Sequence, residues 1–95
     1  MPIDPTLLRR ARENPQGLRF DEAAQLAEQL GFIWVRKNGS HEIYRHPDAG
    51  PFRRLYPQPL NLQPTRDGMA KDYQVKQMLA MATAFGRLHV EEDAR

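Results

Sequence analysis

The pair Asn38-Gly39 constrains this chain more than any other feature of its sequence. It stands between Phe32-Ile33-Trp34-Val35, which is β-branched and aromatic, and the stretch Ser40 to His46. A two-residue type I′ turn needs positive φ at both central positions, and Asn-Gly is the pair that supplies it. The sequence therefore predicts a hairpin: one strand from Phe32 through Lys37, and an antiparallel partner from Ser40 to His46. A helix leads into it. Asp21 sits where an N-cap is expected, and Ala23, Leu26, Ala27 and Leu30 follow at i, i+3, i+4 and i+7. Gly31 is the left-handed stop that frees the chain to turn into the first strand.

The rest of the chain arranges itself around that unit. Pro5-Thr6 followed by Leu7, Leu8 and Ala11 predicts an extra N-terminal helix over about residues 5–13. It ends before Asn14-Pro15, because proline disfavours helix at the residue before it. Gln16-Gly17 supplies a turn. Pro47 to Pro51 reads as a loop. Phe52 to Tyr56 looks strand-like, Pro57 and Pro59 interrupt it, and Leu60-Asn61-Leu62-Gln63 alternates again before Pro64. Prolines remove ladder donors, so this predicts a broken or bulged edge strand. Thr65-Arg66-Asp67-Gly68 is a turn. Asp72 is placed to cap a last helix with Val75, Met78, Leu79, Ala82 and Phe85 on one face, stopped by Gly86. Residues 87–95 are expected to form a flexible tail. The predicted class is α+β, a three-stranded antiparallel sheet with helices on one face, in a single domain over 1–95.

Composition narrows the function classes. At 95 residues the chain suits one domain with a thin core. It has no cysteine, which excludes a disulfide framework and a thiolate metal site and permits a reducing cytoplasm. No apolar run is long enough to span a membrane, and Met1-Pro2-Ile3-Asp4-Pro5 has no signal-peptide pattern. The formal charge of +2 tolerates a polyanionic partner without demanding one. Glu91-Glu92-Asp93 collects three of the twelve acids, so the middle, with Arg36, Lys37, Arg45, Arg53, Arg54, Arg66, Lys71 and Lys76, is more basic than the total suggests.

Three histidines are present: His41, His46 and His89. His41 and His46 are five apart on one strand and so point to opposite faces, which argues against a shared metal. No glycine-rich phosphate loop is present. Ser40 neighbours His41 in sequence but would face the other way, a poor nucleophile–base geometry. His41 is left as a solitary acid–base group. RNA asks for little more, because its own 2′-hydroxyl is the nucleophile. The enzyme must move protons at two oxygens and balance charge on the phosphorane, work suited to Lys37, Arg45 and Lys71. On the residues alone the plainer reading of His41 is a half-exposed strand residue with no role. Trp34 is expected in the core rather than as a base-stacking platform. Tyr44 is readable as core or as a phosphate contact. Arg9, Arg10 and Arg12 read as the solvated face of the first helix.

Lys37-Asn38-Gly39-Ser40-His41-Glu42-Ile43-Tyr44-Arg45-His46-Pro47, preceded by a helix, Gly-Phe and a strand, resembles the signature of the HicA toxins. Arg19-Phe20, Leu60-Asn61-Leu62-Gln63-Pro64 and Lys71-Asp72-Tyr73-Gln74-Val75-Lys76-Gln77 extend the resemblance over roughly residues 13–86. It implies a fold like that of double-stranded-RNA-binding domains. It implies a cytoplasmic, metal-independent endoribonuclease that cleaves mRNA, arrests translation and uses no cofactor, with the histidine after Gly-Ser, His41, as its general acid/base. Lys37, Ser40, Tyr44 and Lys71 become candidates for holding substrate. The implied partner is a HicB-like antitoxin, with operator DNA bound only through the antitoxin complex. The segment Phe52–Pro59 and the leading helix depart from the short members. The competing functions are a non-catalytic double-stranded-RNA-binding module and an inactive toxin-like partner subunit.

Overall fold

The computed structural model describes residues 2–52, 54–55 and 59–88. The element order is α1 (Pro5–Glu13), α2 (Phe20–Gln29), β1 (Ile33–Asn38), β2 (His41–Arg45), β3 (Leu60–Leu62) and α3 (Asp72–Ala84), with short 3-10 turns at Pro15–Gly17 and Pro47–Phe52. The three strands form one antiparallel sheet in the order β1-β2-β3. Leu60 and Leu62 of β3 and Tyr44 of β2 join Leu26 and Leu30 from α2 and around its end, and Val75, Met78 and Ala82 of α3, in one core. The helices thus cover one face of the sheet. The expected α+β, double-stranded-RNA-binding-domain-like arrangement is the one observed.

The helix ends follow local chemistry. Asp4 caps α1, its Oδ1 accepting the Thr6 and Leu7 N–H groups at 3.0 and 3.3 Å. α2 starts one residue before the expected Asp21 cap. The Phe20 N–H donates to the Gly68 carbonyl at 3.0 Å, and the Glu22 carboxylate reaches back to the Arg19 N–H at 2.9 Å, so Arg19 occupies the cap position. α3 is shifted the same way, with Lys71 at the cap position and Asp72 inside the helix. At the far end of α2, Gly31 N–H donates to Glu28 O and Phe32 N–H to Ala27 O, both at 3.0 Å. This is the paired closure that needs a left-handed residue, and Gly31 has φ +95°. A Cβ at Gly31 would lie 2.5 Å from the Arg87 guanidinium, so that side chain would have to shift to admit one.

The hairpin forms, with a different turn from the one expected. Asn38 pairs with His41, so the two loop residues are Gly39 and Ser40 rather than Asn38 and Gly39. Only glycines have positive φ among the described residues, and Gly39 sits at +64°. Positive φ at the first central residue alone is the type II′ pattern, which matches strand twist as well as type I′ does. Between Trp34 and Arg36 the register shifts by one residue, leaving Val35 as a bulge.

Other expectations are corrected. Pro47–Phe52 winds into 3-10 turns instead of a loop running into a strand at Phe52. Pro47 has its φ preset for such a turn, and the His46 Nδ1 accepts the Asp48 N–H at 3.1 Å. Arg54 and Leu55 lie in a turn, so β3 is only Leu60–Leu62. The remainder of the expected strand, at Arg53, Tyr56, Pro57 and Gln58, lies outside the described residues. Trp34 is half exposed rather than core: it stands on an edge strand beyond the helices' cover, its Nε1 donating to Glu42 Oε1 at 2.6 Å. Arg87 and Leu88 do not belong to the expected flexible tail: Leu88 is buried in the core, and Arg87 Nε is 3.7 Å from Asp48 Oδ2. Residues 89–95, including His89, lie outside the described residues.

Arg10 does more than face solvent. Its guanidinium grips Glu22 with two contacts, at 2.7 and 3.0 Å, tying α1 to α2. These hydrogen bonds, helped by the Arg19 N–H, hold the Glu22 carboxyl below its usual value of 4.5. A carboxyl whose pKa is lowered by folding stabilises the fold above its unfolded pKa, and that contribution is lost as pH falls through the folded value. Glu22→Gln is therefore expected to lower the melting temperature at pH 7. The gap to the wild type should shrink as pH is taken below 4.5, which thermal melts of both proteins across that range will read.

Candidate functional site

Pairing between strands decides which side chains share a face. Glu42, Tyr44, Leu60 and Leu62 point to the helix side, since Glu42 pairs with Leu62 and Tyr44 with Leu60. His41, Ile43 and Arg45 of β2 and Asn61 of β3 point to the open side. The bulge at Val35 then determines the contribution of β1. Without it Arg36 would share the face of Trp34; with it, Arg36 pairs with Ile43 on the open side and Lys37 pairs with Glu42 on the helix side.

His41 is half-buried on the open face, and its Nδ1 is 2.9 Å from Asn61 Oδ1. An amide oxygen accepts, so Nδ1 carries the proton and Nε2 holds the lone pair. Nε2 has no hydrogen-bond partner among the described residues. The same Asn61 oxygen also suits the imidazolium, because Nδ1–H is present in both states. His41 can therefore gain and lose a proton at Nε2 without changing its anchor. His46 contrasts with it. It is buried against Phe32 and Phe85, donates from Nε2 to Leu30 O at 2.9 Å and accepts the Asp48 N–H at Nδ1. Both ring nitrogens are used structurally, and it faces away from His41 as the five-residue spacing predicts.

Ser40 and Lys71 are brought together by a residue outside the expected set. Gln63 Nε2 donates to Ser40 Oγ at 3.1 Å, and Lys71 Nζ donates to Gln63 Oε1 at 3.0 Å. The turn at Thr65–Gly68 sets Lys71 there. Thr65 N–H bonds Met69 O, and Ala70 N–H bonds Leu18 O, pinning this segment to the start of α2. Lys37 and Tyr44 are not in this assembly. Lys37 Nζ lies 3.8 Å from Glu42 Oε2 on the other face. Tyr44 is buried in the core on that face, where burial first, and the Glu28 and Glu42 carboxylates second, push its phenol pKa up. In their place the open face has Arg36 and Arg45, both exposed. Asn61, Gln63 and Arg36 are the residues that sequence reasoning missed. The alternation Leu60-Asn61-Leu62-Gln63 was the available signal for the first two, since two buried leucines leave two amides on the opposite face.

Among the described residues no three His, Asp or Glu side chains gather as a metal-holding group, and no helix is long and apolar enough to cross a membrane. Fold and site together define a small α+β domain that presents a single amide-anchored histidine and several cations on an open sheet face. Residues 20–58 match the family described as "HicA toxin of bacterial toxin-antitoxin", so this part of the chain is similar to the HicA toxins. The matched stretch spans α2, the hairpin and His41; Asn61, Gln63 and Lys71 lie beyond it. No curated protein and no solved structure matches the chain.

Proposed function

We propose that this protein is the toxin of a toxin–antitoxin pair, an endoribonuclease that cleaves mRNA without a metal, with His41 as its acid–base group. The observation that carries the reading is the His41–Asn61 pair on the open face, which keeps Nε2 available for proton transfer. In this reading Nε2 takes the proton of an RNA 2′-hydroxyl. The freed oxygen attacks the adjacent phosphorus, the bond to the 5′-oxygen breaks, and that oxygen is protonated by solvent or by the Lys71 ammonium. The products carry a 2′,3′-cyclic phosphate and a 5′-hydroxyl. Arg36, Arg45 and Lys71 offset the charge that builds on the phosphorane. Ser40, held by Gln63, shapes the turn beside the histidine. Lys37 and Tyr44 support the hairpin from its other face.

The antitoxin in this reading is HicB-like and covers His41, the toxin acts in the cytoplasm, and operator DNA is bound by the complex through the antitoxin. The test is incubation of purified toxin with mRNA in EDTA. Cleavage is expected. Intact RNA contradicts the proposal, and tight binding of duplex RNA without cleavage would favour a binding module instead. Asn61→Ala leaves the imidazole unanchored and is expected to slow cleavage roughly 10- to 100-fold, the scale on which misplaced catalytic groups lose rate. Initial rates at saturating RNA will show it, and a rate equal to wild type would remove Asn61 from the mechanism.

A further inference from the structure

A cleft of about 440 Å³ opens beside the histidine, between the open face of the sheet and the first turns of α3. Ligand pockets typically measure about 300–1,000 Å³, so this volume suits one small planar group. Asn61 belongs both to the cleft and to the His41 hydrogen bond. Ile43 and Pro59 give the cleft its apolar surface, and Tyr73 stands at its side, largely exposed.

The polar groups in the cleft are oriented. Gln74 is 95% buried, with 5% exposure, and its Oε1 is committed to the Gln63 N–H at 2.9 Å. Its Nε2 has no partner among the described residues. Yet no buried side-chain nitrogen or oxygen among them lacks a partner, so Nε2 must reach open space, which is the cleft it lines. Asn61 is fixed in the same sense: its Oδ1 faces His41, which leaves Nδ2 as donor. Arg36 adds a guanidinium with no ion-pair partner among the described residues. The cleft thus presents hydrogen-bond donors from three directions, an apolar floor and an aromatic ring.

We infer that this cleft is a nucleobase subsite that takes a base with a keto oxygen where adenine and cytosine carry an exocyclic amino group, guanine or uracil, next to the phosphate served by His41. The inference rests on RNA being the substrate, as proposed above. Stacking on Tyr73 and contact with Ile43 and Pro59 favour a flat ring over a bare phosphate. Fixed donors at Gln74 and Asn61 meet the acceptors of guanine or uracil. Adenine and cytosine would turn an exocyclic amino group toward them, donor against donor. The signal for this site was not visible in sequence, because the bulge at Val35 brings Arg36 into it and the β3–α3 packing brings Gln74.

The test is a titration of the full-length wild-type protein with GMP, UMP, AMP, CMP and inorganic phosphate, following the side-chain amide resonances of Gln74 and Asn61. At least one of GMP and UMP is expected to move both signals at a concentration about 10-fold below that needed for AMP or CMP. Tyr73→Ala, at an exposed position that should not disturb folding, is expected to weaken that binding about 10-fold. Equal response to phosphate alone, equal response to all four nucleotides, no response, or unchanged binding by Tyr73→Ala would each overturn the inference. The readout needs no cleavage. A toxin that leaves RNA intact but binds GMP or UMP here loses the nuclease reading and keeps the subsite. One that cuts RNA while the cleft stays silent keeps the reading and loses the subsite.

Discussion

Replacing His41 with alanine is expected to slow RNA cleavage by at least about 100-fold, the lower end of what a positioned acid–base group contributes. On the proposed function, the same change should abolish growth arrest when the protein is expressed alone. The fold should survive it. His41 lies on the open face, outside the core cluster, and the one hydrogen bond of its ring among the described residues is to a side chain that also lines an open cleft. Circular dichroism and melting temperature of the variant should therefore resemble the wild type. That combination separates lost chemistry from lost structure. A variant that melts like wild type and cuts RNA as fast would remove His41 from the mechanism.

The second large effect is on stability. Leu62 is 1% exposed and pairs through its backbone with Glu42, with the site residues Asn61 and Gln63 on either side of it in sequence. Leu62→Ala removes buried carbons and leaves a cavity between the sheet and the helices. The expected cost is about 2–5 kcal/mol, the range seen for leucine truncations in packed cores. A domain of this size has a total stability of about 5–15 kcal/mol, so the loss is a large share of it. Urea denaturation should show the midpoint moving down with little change in slope. A loss below about 1 kcal/mol would mean that Leu62 is not the packed centre of this sheet. Because Leu62 holds β3 to the core, the variant should also cleave more slowly than wild type where both are folded.

Much of this architecture was legible in the sequence, and the reasons are local. The stripe of Ala23, Leu26, Ala27 and Leu30 ending at Gly31 fixed the second helix, because periodicity and a left-handed stop are properties of neighbours in sequence. The hairpin was legible for the same reason, although its turn is centred on Gly39-Ser40. What escaped depends on contacts between distant segments. The start of α2 is set by the Gly68 carbonyl, nearly fifty residues later. The bulge at Val35 exchanges the faces of Arg36 and Lys37, so the cation expected near His41 is on the wrong side and its neighbour takes that place. Tyr44 was left between core and phosphate contact, and the β2–β3 register places it in the core. His41 itself was singled out by its turn and by elimination. Its partner Asn61 comes from a strand twenty residues away whose length the prolines around it obscured.

The central claim is that His41 activates the RNA 2′-hydroxyl. The most direct measurement is the chemistry of the cut ends, read from an end-labelled RNA digested in EDTA by the wild-type protein beside His41→Ala. The predicted result is a 2′,3′-cyclic phosphate and a 5′-hydroxyl from the wild type, and uncut RNA with the variant. A 3′-hydroxyl with a 5′-phosphate, or the same cyclic ends at the same rate from His41→Ala, would contradict it.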